Sequence, residues 1–146
     1  MPQISRTALV PYSAEQMYQL VNDVDAYPDF IPGCVGSRVL ESNPSQMTAA
    51  VDVSKAGISK TFTTRNTLTD NQSILMHLVD GPFKKLIGGW KFTPLSDDAC
   101  KIEFHLDFEF TNKLIELAFG RIFKELAMNM VQAFTSRAKE VYSRVG

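Results

Sequence analysis

The most constraining feature of this sequence is the run KIEFHLDFEF at positions 101–110, in which polar and apolar residues alternate strictly. Ile102, Phe104 and Phe108 share one parity, and charged residues or a histidine occupy the other. Successive side chains of a strand point to opposite faces, so this alternation predicts a half-buried antiparallel strand. Its apolar face needs a second layer of structure to cover it.

The second layer is predicted directly after this strand, from Asn112 nearly to the C-terminus. Apolar residues recur there at spacings of three and four, as on the buried face of a helix: Ile115, Phe119, Ile122, Phe123, Leu126, Met130, Phe134, Ala138 and Val141. About 30 residues of helix would span about 45 Å. The pattern predicts one long C-terminal α-helix, with Gly120 as its one breaker.

The rest of the chain supplies the other strands. Residues 4–10 read as a strand, and Ser13 with Gln16 forms a capping box that predicts a helix start. Six strands linked by short turns are predicted between Val35 and Thr111, with GPFKKLIGG at 81–89 as a loop bracketed by glycines. The 146 residues therefore predict a single α+β domain, residues 1–146, whose curved antiparallel sheet of six to seven strands wraps around the long helix.

The inward faces of this sheet and helix carry large, soft apolar side chains. A helix held by a curved sheet can leave space between such residues, and an apolar cavity is what a lipid-like ligand requires. Plain core packing produces the same periodicity. The pattern alone leaves both interpretations open.

The segment DVDAYPDFIPGCV at 23–35 concentrates aspartates and a thiol, and so raises the question of catalysis. No histidine lies near Cys34 in the sequence to activate its thiol. The aspartates are explained more simply by backbone hydrogen bonding in a turn, and Asp25 could cap a short helix that contains Pro28. The segment is therefore interpreted as a structural turn.

Other chemistry-bearing residues are isolated. His77 and His105 belong to no metal-ligand pattern, and phosphate-binding and nucleophile-elbow motifs are absent from the sequence. His77 lies in the otherwise apolar ILMHLVD, which suits either a hydrogen-bonded structural histidine or a polar contact in a cavity. No metal site and no required cofactor are predicted.

Charge and cysteine content limit the partners and the compartment. The net charge of −1 gives no general attraction to nucleic acid, and no DNA partner is expected. Two cysteines, Cys34 and Cys100, make no disulfide framework. No secretory signal or membrane span is visible, so a cytoplasmic location is predicted.

Three segments carry a resemblance to a known family: ISRTALVPYSAEQMYQLVNDVDAYPDFIPGC, GPFKKLIGGWKF and HLDFEFTN. They resemble the coenzyme Q-binding START-like proteins of the polyketide cyclase/dehydrase superfamily, over nearly the whole chain. The resemblance implies a helix-grip fold with a hydrophobic tunnel between sheet and helix, and favours the cavity interpretation. It implies two activities in bacterial or respiratory relatives, namely ubiquinone binding that supports respiration, and binding of the large ribosomal subunit that blocks subunit association.

From this resemblance we expect a non-enzymatic protein that holds ubiquinone or another lipid. The cavity is predicted to be lined or gated by Tyr27, Phe30, Phe62, Trp90, Phe104, Phe108, Phe119, Phe123 and Met130. The alternative is a toxin that binds the large ribosomal subunit. That contact, or a transient membrane contact, would use Lys84, Lys85, Arg121 and Lys124. A cyclase- or dehydratase-type enzyme is the third hypothesis, and it requires a polar residue such as His77 or Arg65 inside the cavity.

Overall fold

The computed structural model describes residues 3–142. Its elements follow one another along the chain as β1 (Gln3–Val10), α1 (Ala14–Asn22), a 3-10 helix (Val24–Asp29), β2 (Cys34–Asn43), β3 (Gln46–Lys55), β4 (Ile58–Thr69), β5 (Ser73–Asp80), β6 (Phe83–Ser96), β7 (Ala99–Phe110), α2 (Lys113–Met128) and α3 (Met130–Tyr142). This order confirms the predicted succession of strand, short helices, six strands and C-terminal helix.

The strands form one curved, seven-stranded antiparallel sheet in the order β1-β7-β6-β5-β4-β3-β2. Strands β2 to β7 are joined as consecutive hairpins, so each pairs with the next along the chain. Helix α1 and the 3-10 helix carry the chain from β1 at one edge to β2 at the other. The predicted α+β helix-grip class is confirmed.

Strand β7 is flanked by β1 and β6. Its alternating sequence buries one face, as predicted. One parity is buried throughout, and its members are Cys100, Ile102, Phe104, Leu106, Phe108 and Phe110. Across the sheet, Trp90 of β6 is the cross-strand partner of Phe104, with ring centroids 4.6 Å apart. The main core therefore lies between this face of the sheet and the helices.

The C-terminal helix is interrupted, which differs from the predicted single helix. Asn129, with φ −96° and ψ 0°, ends α2 and separates it from α3. Its backbone N–H still donates to the carbonyl of Glu125 at 3.1 Å, so the break is local. Asparagine favours helix ends because its side chain offers the backbone alternatives to helical bonding. Gly120, the predicted breaker, lies inside α2.

The predicted loop at 81–89 is wrong, because most of it is strand β6. Gly88 and Gly89 sit in the middle of the sheet, where the neighbouring backbones come very close. A Cβ atom at Gly88 would lie 2.1 Å from the carbonyl oxygen of His105, and one at Gly89 would lie 2.1 Å from that of Ile74. These glycines permit close strand approach and do not end a strand.

The predicted helix start at Ser13 is confirmed, and the segment at 23–35 contains the predicted short helix. The capping box is present, since Ser13 Oγ accepts from the Gln16 N–H at 3.1 Å and Gln16 Oε1 accepts from the Ser13 N–H at 2.9 Å. After α1, the 3-10 helix contains Pro28. Asp25 does not cap this helix but lies within it, and no side chain caps its start at Asp23.

Candidate functional site

A cavity of about 70 Å³ lies between the concave face of the sheet and the helices. The 3-10 helix and the segment after it close one side, strands β3 to β7 form the wall, and the end of α2 with the start of α3 covers it. Its lining residues are Val24, Tyr27, Ile31, Cys34, Ala49, Val51, Phe62, Thr64, Asn66, Met76, Leu86, Trp90, Phe104, Leu106, Phe123, Leu126, Ala127 and Met130.

Most of the predicted lining residues lie on this wall. Six of the nine are Tyr27, Phe62, Trp90, Phe104, Phe123 and Met130. Val51, Phe62, Met76 and Met130 are half-buried while most other lining residues are buried, so the cavity comes nearest to solvent beside these four. Ligand binding by these residues stays a prediction.

Phe108 and Phe119 do not line the cavity, which corrects the prediction. Both are fully buried in an aromatic cluster at one end of the sheet. The ring centroids of Phe108 and Phe123 lie 5.0 Å apart, and those of Phe119 and Phe110 lie 6.3 Å apart. These two side chains fill the core next to the cavity: Phe119 lies one helical turn before Phe123, and Phe108 is the next inward-facing residue after Leu106.

Phe30, the residue that follows the 3-10 helix, also lies outside the cavity. The centroid of its ring lies 5.2 Å from that of Phe134 and 6.2 Å from that of Tyr27. The guanidinium carbon of Arg137 lies over the ring, 5.1 Å from its centroid. Phe30 lines a separate surface groove with Arg137. It therefore supports Tyr27 from behind rather than meeting the cavity.

Two polar lining residues, Thr64 and Asn66, were missed by the sequence interpretation. Both lie on β4 with Phe62 and on the same parity, so they face inward. Thr64 Oγ1 donates a hydrogen bond to Asn66 Oδ1 at 2.8 Å. The shared parity with Phe62 could have identified both residues from the sequence. It was overlooked because the sequence was searched for catalytic residue types.

No charged side chain appears among the lining residues that the structure describes. Burial raises the pKa of the Cys34 thiol, which is therefore protonated at neutral pH and a poor nucleophile. Burial likewise raises the pKa of Tyr27, whose hydroxyl donates to the backbone carbonyl of Val21. The wall presents an uncharged, mainly apolar surface.

His77 and Arg65 are exposed cross-strand neighbours on the outer face of the sheet, and neither lines the cavity. Neither side chain can therefore act on a ligand held there, so the two residues named for the cyclase-type hypothesis lie outside the cavity. Within residues 3–142, no group of three or more histidine, cysteine, aspartate or glutamate side chains could hold a metal ion.

The four predicted contact cations lie in two places. Lys84 and Lys85 belong to β6, not to a loop tip; Lys85 Nζ is 3.0 Å from Asp107 Oδ2, and Lys84 Nζ is 3.8 Å from Glu109 Oε2. Arg121 and Lys124 lie on α2, outside the ion pairs found in the described part of the chain. None of the helices in that part is long and apolar enough to span a membrane.

Curated relatives are similar over nearly the whole chain. The "Persistence and stress-resistance toxin PasT" of Escherichia coli O6:H1 is 89% identical over 98% of this chain and 90% of its own. The "Ribosome association toxin RatA" of Escherichia coli K12 is 88% identical with the same coverage. The "Coenzyme Q-binding protein COQ10 homolog B, mitochondrial" of Xenopus laevis is 30% identical over 96% of this chain and 59% of its own.

Solved structures show the same fold. An aromatase/cyclase from a Streptomyces species superposes with a TM-score of 0.85 at 17% identity, over 99% of this chain and 98% of its own. A START superfamily protein from Mycobacterium smegmatis superposes with a TM-score of 0.78 at 26% identity, over 95% and 98%. The model of the family "Polyketide cyclase / dehydrase and lipid transport" matches residues 10–135. This chain therefore belongs to the polyketide cyclase/dehydrase and lipid transport family, whose members share its helix-grip fold.

Proposed function

We propose that this chain is a non-enzymatic protein that binds an apolar ligand, ubiquinone or another lipid, in the cavity between the sheet and α2, and thereby supports respiration. The observation that carries the proposal is the uncharged, aromatic-rich cavity wall. The family description and the printed name of the Xenopus laevis relative agree with it. Because most lining side chains are already buried, the favourable term on binding is the removal of the ligand's own apolar surface from water, roughly 25 cal/mol per Å².

The cavity must expand to hold such a ligand. Its volume of about 70 Å³ is roughly half that of an apolar cavity of about 150 Å³ that admits benzene. Met76 and Met130 are half-buried lining residues with flexible, unbranched side chains that can repack at low cost. We propose that their movement, with that of Phe62, opens the cavity for a quinone ring.

Tryptophan fluorescence tests the proposal, because Trp90 is the single tryptophan of the chain and lines the cavity. Titration with decylubiquinone is expected to quench its emission saturably. Ala127→Met should fill the cavity and weaken binding at least about tenfold, since overpacking costs roughly 1–3 kcal/mol. The matched control is Ala118→Met on the exposed face of α2, which should bind as the wild type does.

Two results would contradict ligand binding in the cavity. One is quenching that rises linearly without saturation and equally in both variants. The other is protein from its native host that yields no quinone or lipid on solvent extraction and mass spectrometry, together with absence of binding in the titration.

A second candidate function is association with the large ribosomal subunit in the bacterial cytoplasm, which would block subunit joining. It is supported by 88% identity to a relative named as a ribosome association toxin. Phosphate contacts dominate protein binding to nucleic acid, so the contact would need local cations despite the net charge of −1. On α2, Lys113 and Arg121 are exposed and Lys124 is half-buried, and these cations are the proposed contact.

Co-sedimentation with purified large subunits tests this second function. Arg121→Glu with Lys124→Glu is expected to lower the bound fraction at least about tenfold at low salt, and added salt should weaken wild-type binding. Lys91→Glu with Lys139→Glu changes the net charge equally at exposed positions elsewhere and should bind normally. Equal losses in both double variants would indicate general electrostatics only, and no sedimentation at low salt would remove the hypothesis.

A further inference from the structure

Apart from tyrosines and cysteines, Thr64 and Asn66 are the buried polar side chains within residues 3–142, with exposed fractions of 6% and 7%. Both belong to the wall of one apolar cavity. Their inward-facing neighbours on β4 are Phe62 and Leu68, and their cross-strand partners include Ala49, Met47 and Met76. A polar pair in such surroundings costs free energy unless its hydrogen-bonding groups find partners.

The hydrogen bonds of this pair are incomplete. Asparagine carries one carbonyl oxygen and an NH₂ group with two donors. The Thr64 hydroxyl supplies a donor to Asn66 Oδ1, which orients the amide. Among the described residues, no hydrogen bond from Asn66 Nδ2 is found, and this nitrogen is not one of the fully enclosed, unpaired side-chain atoms. Asn66 lines the cavity, so the pair leaves at least one unpaired N–H donor beside it.

The charge of the wall restricts what that donor can bind. No lysine, arginine or histidine lines the cavity, so an anionic phosphate or carboxylate would be buried there without a counter-charge. A ligand without polar atoms would leave the amide unpaired. A neutral head group with a carbonyl oxygen satisfies the donor and carries no charge.

We infer that the Thr64–Asn66 pair is a recognition site for the carbonyl oxygen of a neutral ligand head group, which selects a quinone-like or ester-like head over a plain hydrocarbon. Thr64 fixes the amide so that Asn66 Nδ2 donates to that oxygen. This inference rests on the proposed function, since it assigns head-group selectivity to the same cavity. It makes Asn66 a specificity-determining residue.

The test compares two ligands with equal tails, decylubiquinone and decylbenzene. The quinone ring of the first carries carbonyl oxygens, methoxy groups and a methyl group, and the benzene ring of the second carries only the tail. Binding of decylubiquinone is followed by Trp90 quenching and that of decylbenzene by its competition. The wild type is expected to prefer the quinone, and Asn66→Leu to weaken quinone binding roughly tenfold while leaving decylbenzene binding unchanged or tighter. Thr64→Val should reduce the preference less, because it removes only the group that orients the amide.

Thr67→Val on the outward face of β4 is the matched control and should keep the wild-type preference. Thermal unfolding of each variant checks that the fold is retained, and replacing a partly unpaired buried amide by leucine is expected to preserve it. If Asn66→Leu binds both ligands as the wild type does, the inference is overturned while ligand binding stands. If neither ligand binds the wild type, the proposed function itself fails. A preference lost equally in the Thr67→Val control would also overturn the inference.

Discussion

Phe123→Ala is expected to lower the free energy of unfolding by about 3–5 kcal/mol, the range typical of truncating a buried phenylalanine. The side chain is 1% exposed and lies where α2 meets the sheet. Its ring centroid lies between 4.8 and 6.1 Å from five other rings, those of Phe83, Phe108, Phe62, Phe119 and Phe110. Urea denaturation followed by Trp90 fluorescence measures the change.

Phe119→Ala is the matched control, because Phe119 is equally buried one turn earlier on α2 but lies outside the cavity. Both variants should be destabilised, but only Phe123→Ala enlarges the cavity. Phe123→Ala should therefore bind decylubiquinone more tightly than Phe119→Ala does, since its cavity needs less expansion. If Phe123→Ala does not remain folded, Phe123→Leu provides a milder enlargement. Two results would contradict the assignment of Phe123 to both the core and the cavity wall. One is a loss of unfolding free energy below about 1 kcal/mol, and the other is an equal change of quinone affinity in both variants.

Periodicity predicted the layers of the fold because burial of one face is a local property of a strand or a helix. The alternation in 101–110 gave the correct buried face, and so did the three-four spacing after Asn112, except at Val141, which is 38% exposed. The helix break at Asn129 was missed, since apolar spacing continues across it. The prediction of a loop at 81–89 was wrong. Glycine usually indicates a turn or a loop in a sequence, and only the structure shows that neighbouring strands approach closely at Gly88 and Gly89.

The cavity was harder to predict than the core. The parity of a residue shows which face of the sheet its side chain is on, but it does not show where along the strand the cavity lies. Phe104 and Phe108 lie on the same face of β7, yet only Phe104 lines the cavity. Thr64 and Asn66 were missed for another reason. Their polarity conflicts with the inward parity that they share with Phe62, and such conflicts are expected at functional or strained sites.

Gly88→Ala is expected to destabilise the protein by more than about 4 kcal/mol, an exceptional loss for one methyl group. The added Cβ would lie 2.1 Å from the His105 carbonyl oxygen and 2.8 Å from the Leu106 Cα, both backbone atoms of β7. Because β6 and β7 pair along most of their length, neither strand can move away without breaking the ladder. We expect expression mainly in inclusion bodies, or a denaturation midpoint far below that of the wild type.

Gly120→Ala is the matched glycine control and is expected to change stability in the opposite direction. This glycine lies inside α2, and a Cβ there would meet Phe110 Cε2 and Glu116 Cγ at 3.5 Å, an ordinary contact distance. Alanine in a helix interior is more stable than glycine by roughly 0.5–1 kcal/mol. Urea denaturation should therefore separate the two variants by more than about 4 kcal/mol. Equal midpoints would show that β6 and β7 can separate at Gly88, and that its missing side chain does not set their spacing.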